Sequence, residues 1–225
     1  MSQDRAKRNA AEEAVEFVKN GMIVGLGTGS TAKIAIDLIG EKLSKDFKIK
    51  GMPTSIKTAR QAKKLGIELV NIDDYDVIDL AIDGADEVAP DMSLIKGLGG
   101  ALLREKKVEK KAKELIIIID ENKIVEKLGR GELPIEVSSE KHDSTATEIE
   151  RIGCRAKLRL EDNGKAFVTD NKNYIYHCSF PNGIENPKET DKKLQNIDGV
   201  RDTGLFLNMA TKIIVGNEEG TRILE

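Results

Sequence analysis

The sequence has no tryptophan, five phenylalanines and three tyrosines. With so few rings, no block of basic residues interleaves with aromatics, the pattern that stacks and neutralises nucleic acid. A net charge of −3 points the same way, so no nucleic-acid partner is expected. Cysteine is scarce. Cys154 and Cys178 fit neither a disulfide framework nor a zinc motif and are expected as free thiols in a reducing compartment. The two histidines, His142 and His177, lie far in sequence from the acidic motifs and read as surface or structural groups. No apolar run reaches 18 residues and no signal-type apolar stretch is present, so the expectation is a cytoplasmic protein with no membrane partner.

What is present is alternation. A chain of 225 residues can bury a core as one domain, or as one domain with a smaller insertion. Ser2 can cap a helix with Ala10, Ala14, Val15 and Val18 on one face, stopped at Gly21. Strand patterns at 22–26, 49–52, 67–70, 77–82 and 115–119 then alternate with helical patterns at 30–44, 56–65 and from about Leu102. That order predicts a doubly wound, Rossmann-like, mostly parallel sheet. From Pro134 the pattern changes to strand, helix, three strands (154–160, 166–169 and 174–179), helix and strand. Strands in succession predict a smaller α+β, ferredoxin-like domain inserted at 131–202, with 1–130 and 203–225 forming the larger, Rossmann-like domain. The stretch from Lys106 to Lys113, alternating with Glu105, Glu109 and Glu114, reads as a solvated helix face.

Two motifs carry chemistry. Gly27-Thr28-Gly29-Ser30-Thr31-Ala32 joins a strand to a helix. Glycines let backbone approach an anion, and the helix start offers N–H groups and positive potential. The loop also fits a dinucleotide fingerprint, but the next strand ends Lys50-Gly51-Met52-Pro53 without the acid that binding would use. A phosphate cradle, a dinucleotide turn and a merely structural turn remain open on the loop alone. The second motif is Asp83-Gly84-Ala85-Asp86-Glu87, followed by Lys96-Gly97-Leu98-Gly99-Gly100 and Arg104-Glu105-Lys106. Acids at a strand end point toward ligand in an open α/β sheet. They could equally form a turn cluster or a divalent-metal site, and Glu87 could simply face solvent. Lys96 in a glycine loop can set an ammonium beside a developing oxyanion, helped by N–H groups around Gly97.

These motifs, with 133–137, 168–171 and 204–206 in the same order, resemble the ribose-5-phosphate isomerase A family. Leu98 departs from a loop that is otherwise all glycine in that family. The resemblance implies an aldose–ketose isomerase that interconverts ribose 5-phosphate and ribulose 5-phosphate through an enediolate, in the non-oxidative pentose phosphate pathway. Glu105, nine residues after Lys96, matches the family's catalytic base. Asp83, Asp86 and Lys96 would complete the catalytic set. Substrate contacts would come from Lys7, Thr28, Gly29, Ser30, Thr31, Gly84, Ala85, Gly97, Leu98, Gly99 and Lys123. Neither metal nor cofactor is required, the partner is a small sugar phosphate, and a homo-oligomer (dimer or tetramer) is implied. Two rivals fit a related fold: a CoA transferase using Glu105 as covalent nucleophile, and a sugar-phosphate sensor without a base.

Overall fold

The computed structural model describes residues 2–225. In chain order the elements are α1 (Ser2–Val15), β1 (Ile23–Leu26), α2 (Ser30–Lys42), β2 (Lys50–Pro53), α3 (Ile56–Lys64), β3 (Glu68–Leu69) and β4 (Ile78–Asp83). β5 (Glu87–Val88), β6 (Leu94–Ile95), α4 (Leu102–Glu109), β7 (Ala112–Asp120), β8 (Glu132–Val137), α5 (His142–Glu150) and β9 (Arg155–Leu158) follow. The last are β10 (Tyr174–Ser179), α6 (Pro187–Gln195), β11 (Val200–Thr203), β12 (Leu205–Phe206), β13 (Lys212–Gly216) and β14 (Thr221–Leu224). The chain divides into two compact units, one of 1–85, 104–123 and 209–225, the other of 86–103 and 124–208.

The first unit holds a seven-stranded sheet in the order β14-β13-β7-β4-β1-β2-β3. It is parallel except for β14, which pairs antiparallel with β13 at one edge. Side chains alternate across a strand, so Val24, Leu26, Leu80, Ile82, Ile116 and Ile118 share one face. They pack there with Ala10 and Ala14 of α1 and Ala35, Ile36 and Ile39 of α2. A separate cluster gathers Met52 of β2, Ile78 of β4 and Val108 of α4. Gly25 makes this approach possible: a Cβ there would lie 2.9 Å from both Ala81 Cβ and Val108 Cγ1. Helices on both faces are what the alternating pattern predicts.

In the second unit β8-α5-β9-β10-α6-β11 forms an antiparallel sheet in the order β11-β8-β10-β9, the ferredoxin-like arrangement. Leu133, Ile135, Val137, Tyr176 and Cys178 face its core with Ile149 and Leu194 from the two helices. A small sheet, β12-β6-β5, belongs to the same unit.

The division differs from the sequence expectation. Residues 86–103, 124–130 and 203–208 fall in the second unit: β6 pairs with β5 on one side and β12 on the other, not with the seven-stranded sheet, and Ile124 bridges to Val88 of β5. The expected strand at 166–169 is a loop joined to its neighbour by one bridge, Leu160 to Ala166. Thr169 turns inward instead, its hydroxyl donating to Glu136 Oε1 at 3.0 Å. The solvated face expected from Lys106 onward is also corrected. Lys106 and Glu109 are only 4% and 3% exposed, and α4 stops at Glu109 before β7 begins at Ala112.

Candidate active site

The strand order creates a switch point. From β1 the sheet continues to β2 on one side and to β4 on the other, so the connections leaving their carboxyl ends diverge and open a crevice. The loop after β1 and Asp83 at the end of β4 both lie there. Gly27 has no room for a side chain, since a Cβ would come within 2.7 Å of the Asp83 Cα. The Asp83 carboxylate fills the space instead. It is 1% exposed, and its Oδ1 accepts from the N–H of Thr28 at 3.0 Å and of Gly84 at 2.7 Å.

The glycine loop then enters α2. Gly29, at φ +144°, is the residue before the helix and supplies no side-chain cap, which leaves the first-turn N–H groups as donors. Ser30 and Gly29 are exposed, whereas Thr31 is buried. Thr28 is not outward-facing in the way the sequence suggested. Its N–H serves Asp83, and its hydroxyl meets those of Thr54, Ser55 and Thr58 at 2.7, 2.9 and 3.1 Å. These three hydroxyls went unpredicted. They follow β2, whose carboxyl end lies beside that of β1, so strand adjacency was the signal that could have found them. Ser55 also caps α3 by accepting from the Thr58 N–H at 3.0 Å.

Glu105 lies in the first turn of α4 and is 2% exposed. One turn later, on the same face, comes Glu109. Carboxylate oxygens of Asp83, Glu105 and Glu109 all lie within 4.8 Å of one another. Among the described residues this trio is also the group whose spacing could ligate a cation.

The second unit holds the remaining motif residues. Lys96 is 1% exposed, with its ammonium 5.2 Å from the centre of the Phe206 ring. Its N–H donates to the Gly204 carbonyl at 2.9 Å, which fixes where the glycine loop departs. Half-buried Asp86 accepts the N–H of Leu98 at 3.0 Å, so that donor is committed within the loop. Glu87, for which solvent was one expectation, is 4% exposed; it accepts the N–H groups of Gly129, Arg130 and Gly131 and is structural. The Leu98 carbonyl accepts from Arg159 Nη1 at 2.8 Å. Burial pulls the Arg159 pKa below its usual value, partly opposed by Glu161.

The structure thus brings Thr28, Asp83 and Glu105 together in one unit and Asp86 with Leu98 in the other. Lys7 is half-buried on α1, and Lys123 follows β7; among the described residues neither ammonium has an ion-pair partner. Gly84 and Ala85 are half-buried, Gly97 turns the chain at φ +98°, and Gly99 is exposed. The cysteines are buried free thiols. The histidines are structural: His142 Nδ1 pairs with the Tyr176 hydroxyl at 2.8 Å and His177 Nδ1 with Glu132 at 2.9 Å.

A family model described as ribose 5-phosphate isomerase A (phosphoriboisomerase A) matches residues 50–220. Ribose-5-phosphate isomerase A of Bacillus mycoides (strain KBAB4) is 47% identical over 216 residues, covering 96% of this chain and 97% of that one. Among solved structures, ribose 5-phosphate isomerase A from Methanocaldococcus jannaschii superposes with a TM-score of 0.93 at 37% identity, covering 98% of each chain. A D-ribose-5-phosphate isomerase in complex with phospho-erythronic acid gives a TM-score of 0.94 at 38% identity over the full length of both. With the family model matching most of the chain and relatives of this identity covering nearly all of it, the chain belongs to the ribose 5-phosphate isomerase A family.

Proposed function

We propose that this chain interconverts D-ribose 5-phosphate and D-ribulose 5-phosphate, with the residues of the two motifs in defined roles. The observation that carries the roles is the placement of Glu105 beside Asp83 in a buried acid cluster, at the switch point that also holds the anion loop. The loop from Thr28 to Thr31 holds the phosphate, with Gly29, Ser30 and the first-turn N–H groups of α2 toward it and Thr28 beneath. Lys7 and Lys123 add positive charge. Binding this inert end orients the reacting carbons.

The sugar arrives largely as a furanose. Asp83, with Asp86, exchanges protons with the ring oxygen and the hydroxyl as the ring opens, while Gly84 and Ala85 line the sugar. Glu105 then takes the C2 proton and returns it to C1, so that one carboxylate serves as base and acid in turn. Between the two transfers, negative charge sits on the oxygen of the enediolate. Lys96 and the N–H groups of Gly97 and Gly99 stabilise it, with Leu98 bracing the loop. No step requires a metal. The reading extends to a cytoplasmic homo-oligomer, dimer or tetramer; among the described residues no helix is long and apolar enough to cross a membrane.

The test is to incubate the protein with ribose 5-phosphate in chelator-containing buffer and assay the ketose. Ketose formed at the same rate with and without chelator supports the reading. Binding without turnover would favour a sensor, and activity lost on chelation and restored by a divalent ion would move the acid trio to metal chemistry.

A further inference from the structure

The loop that follows Lys96 is built from easily rotated peptides, yet two of them are locked in succession. The Gly97–Leu98 peptide has its carbonyl accepting from the Gly100 N–H at 2.9 Å and its N–H donating to Asp86 Oδ2 at 3.0 Å. The next peptide, Leu98–Gly99, is held by its carbonyl alone, on Arg159 Nη1 at 2.8 Å. Arg159 is itself immobilised. Its guanidinium carbon lies 3.8 Å from the centre of the Phe167 ring, and Phe167 N–H donates to the Arg159 carbonyl at 2.9 Å across the hairpin. Gly100 fits against this pair and no larger residue would, since a Cβ there would lie 2.7 Å from the Phe167 ring.

A peptide is planar, with its carbonyl and N–H on opposite sides. Holding the Leu98 carbonyl toward Arg159 therefore aims the Gly99 N–H the other way. Glycine at the second position would otherwise let this peptide flip at little steric cost, which would exchange a donor for a carbonyl. Given the isomerase reading, we propose that Arg159, stacked on Phe167, is a positioning residue that keeps the Gly99 N–H presented as an oxyanion donor. Leu98 departs from the all-glycine loop without harm in this arrangement, because its contributions to the lock are main-chain.

The test compares wild type with Arg159→Ala, Arg159→Lys and Phe167→Leu, using Arg155→Ala as an exposed control on the same hairpin. Misplacing a donor of this kind costs up to about 10²-fold. Arg159→Ala is expected to lower kcat about 10- to 100-fold with KM for ribose 5-phosphate changed less than about threefold, since phosphate binding lies elsewhere. Guanidinium ion at millimolar concentration should recover part of that kcat. Lysine, lacking the planar fork, should not, and Phe167→Leu should fall between. Hydrogen exchange adds a readout independent of activity: the Leu98 and Gly100 amides should exchange faster in Arg159→Ala and not in Arg155→Ala. An unchanged kcat, a loss shared by Arg155→Ala, or unchanged exchange at 98–100 would overturn the proposal. A wild type that forms no ketose would overturn the isomerase reading instead, and the exchange measurement would still decide whether Arg159 locks the loop.

Discussion

Among the described residues four glutamates are almost fully buried, and they divide by unit. Glu87 and Glu136, at 4% and 0% exposure, belong to the second unit and are answered by neutral donors around them. Three backbone N–H groups converge on Glu87, while Thr169, Asn171 and Asn173 converge on one oxygen of Glu136. Glu105 and Glu109, in the first unit, gather instead with a third acid, Asp83. Burial alone does not mark a reacting carboxylate. A buried acid ringed by N–H donors braces a loop, because its charge is satisfied locally. In the reading proposed above, the acids that gather at the carboxyl end of the parallel sheet are the ones that react.

The largest effect that could break this contrast is at Glu105. Glu105→Gln should lower kcat by about 10²–10⁴ with little change in thermal stability, the usual cost of losing a general base. A kcat near wild type would end the assignment. The opposite signature is expected at Glu136. Glu136→Ala strands three donors and should cost roughly 3 kcal/mol, or about 6–12 °C in Tm, while kcat per folded molecule changes far less. Thermal melts and activity on the same samples check both. Next comes the cradle. Ser30→Ala with Thr31→Ala should raise KM about tenfold and leave kcat nearly intact, because phosphate contacts are made in ground and transition states alike; the reverse split would remove the phosphate from this loop.

Glu109 sharpens the comparison because its neighbours disguised it. Between Lys106, Lys107 and Lys110 it reads as one more solvated charge, which would make Glu109→Gln silent. Its place within 4.8 Å of Asp83 and Glu105 predicts otherwise. Glu109→Gln should lower kcat by about threefold or more, short of the Glu105 effect, as the field at the base changes. A silent variant would restrict the working cluster to Asp83 and Glu105. Smallest of all is Asp79, an acid of the first unit with a bracing role. It accepts the Ile23 N–H at 3.0 Å and pairs with Lys113, and that backbone bond, then Lys113, holds its pKa below the usual 3.8. A depressed folded pKa contributes stability above the unfolded value and loses it as pH falls through the folded one. Asp79→Asn should therefore be less stable than wild type at pH 7, by under about 1 kcal/mol for so exposed a pair, with the difference shrinking as pH falls below 3.8.

What was legible in the sequence was local. The alternation of strands with helices, the loop from Gly27 to Ala32, and Asp83 at a strand end are each contained in a few consecutive residues. What escaped required neighbours distant in the chain. Thr54, Ser55 and Thr58 meet Thr28 only because β2 lies beside β1, and Arg159 reaches Leu98 across 61 residues. β5, β6 and β12 have two residues each, too few to show a period, so the first boundary of the second unit was misplaced along with them. The fold class followed from period. The partners of individual side chains did not, because pairing is a property of the sheet order.

The central claim is that one carboxylate, Glu105, carries a proton between adjacent carbons. The direct measurement is solvent exchange in deuterated water, with ribose 5-phosphate incubated with wild type and with Glu105→Gln and the sugar examined by NMR. Wild type should wash deuterium into C2 or C1 as it isomerises, and the folded variant should leave both carbons protonated. Deuterium entering at the wild-type rate in Glu105→Gln would contradict the account.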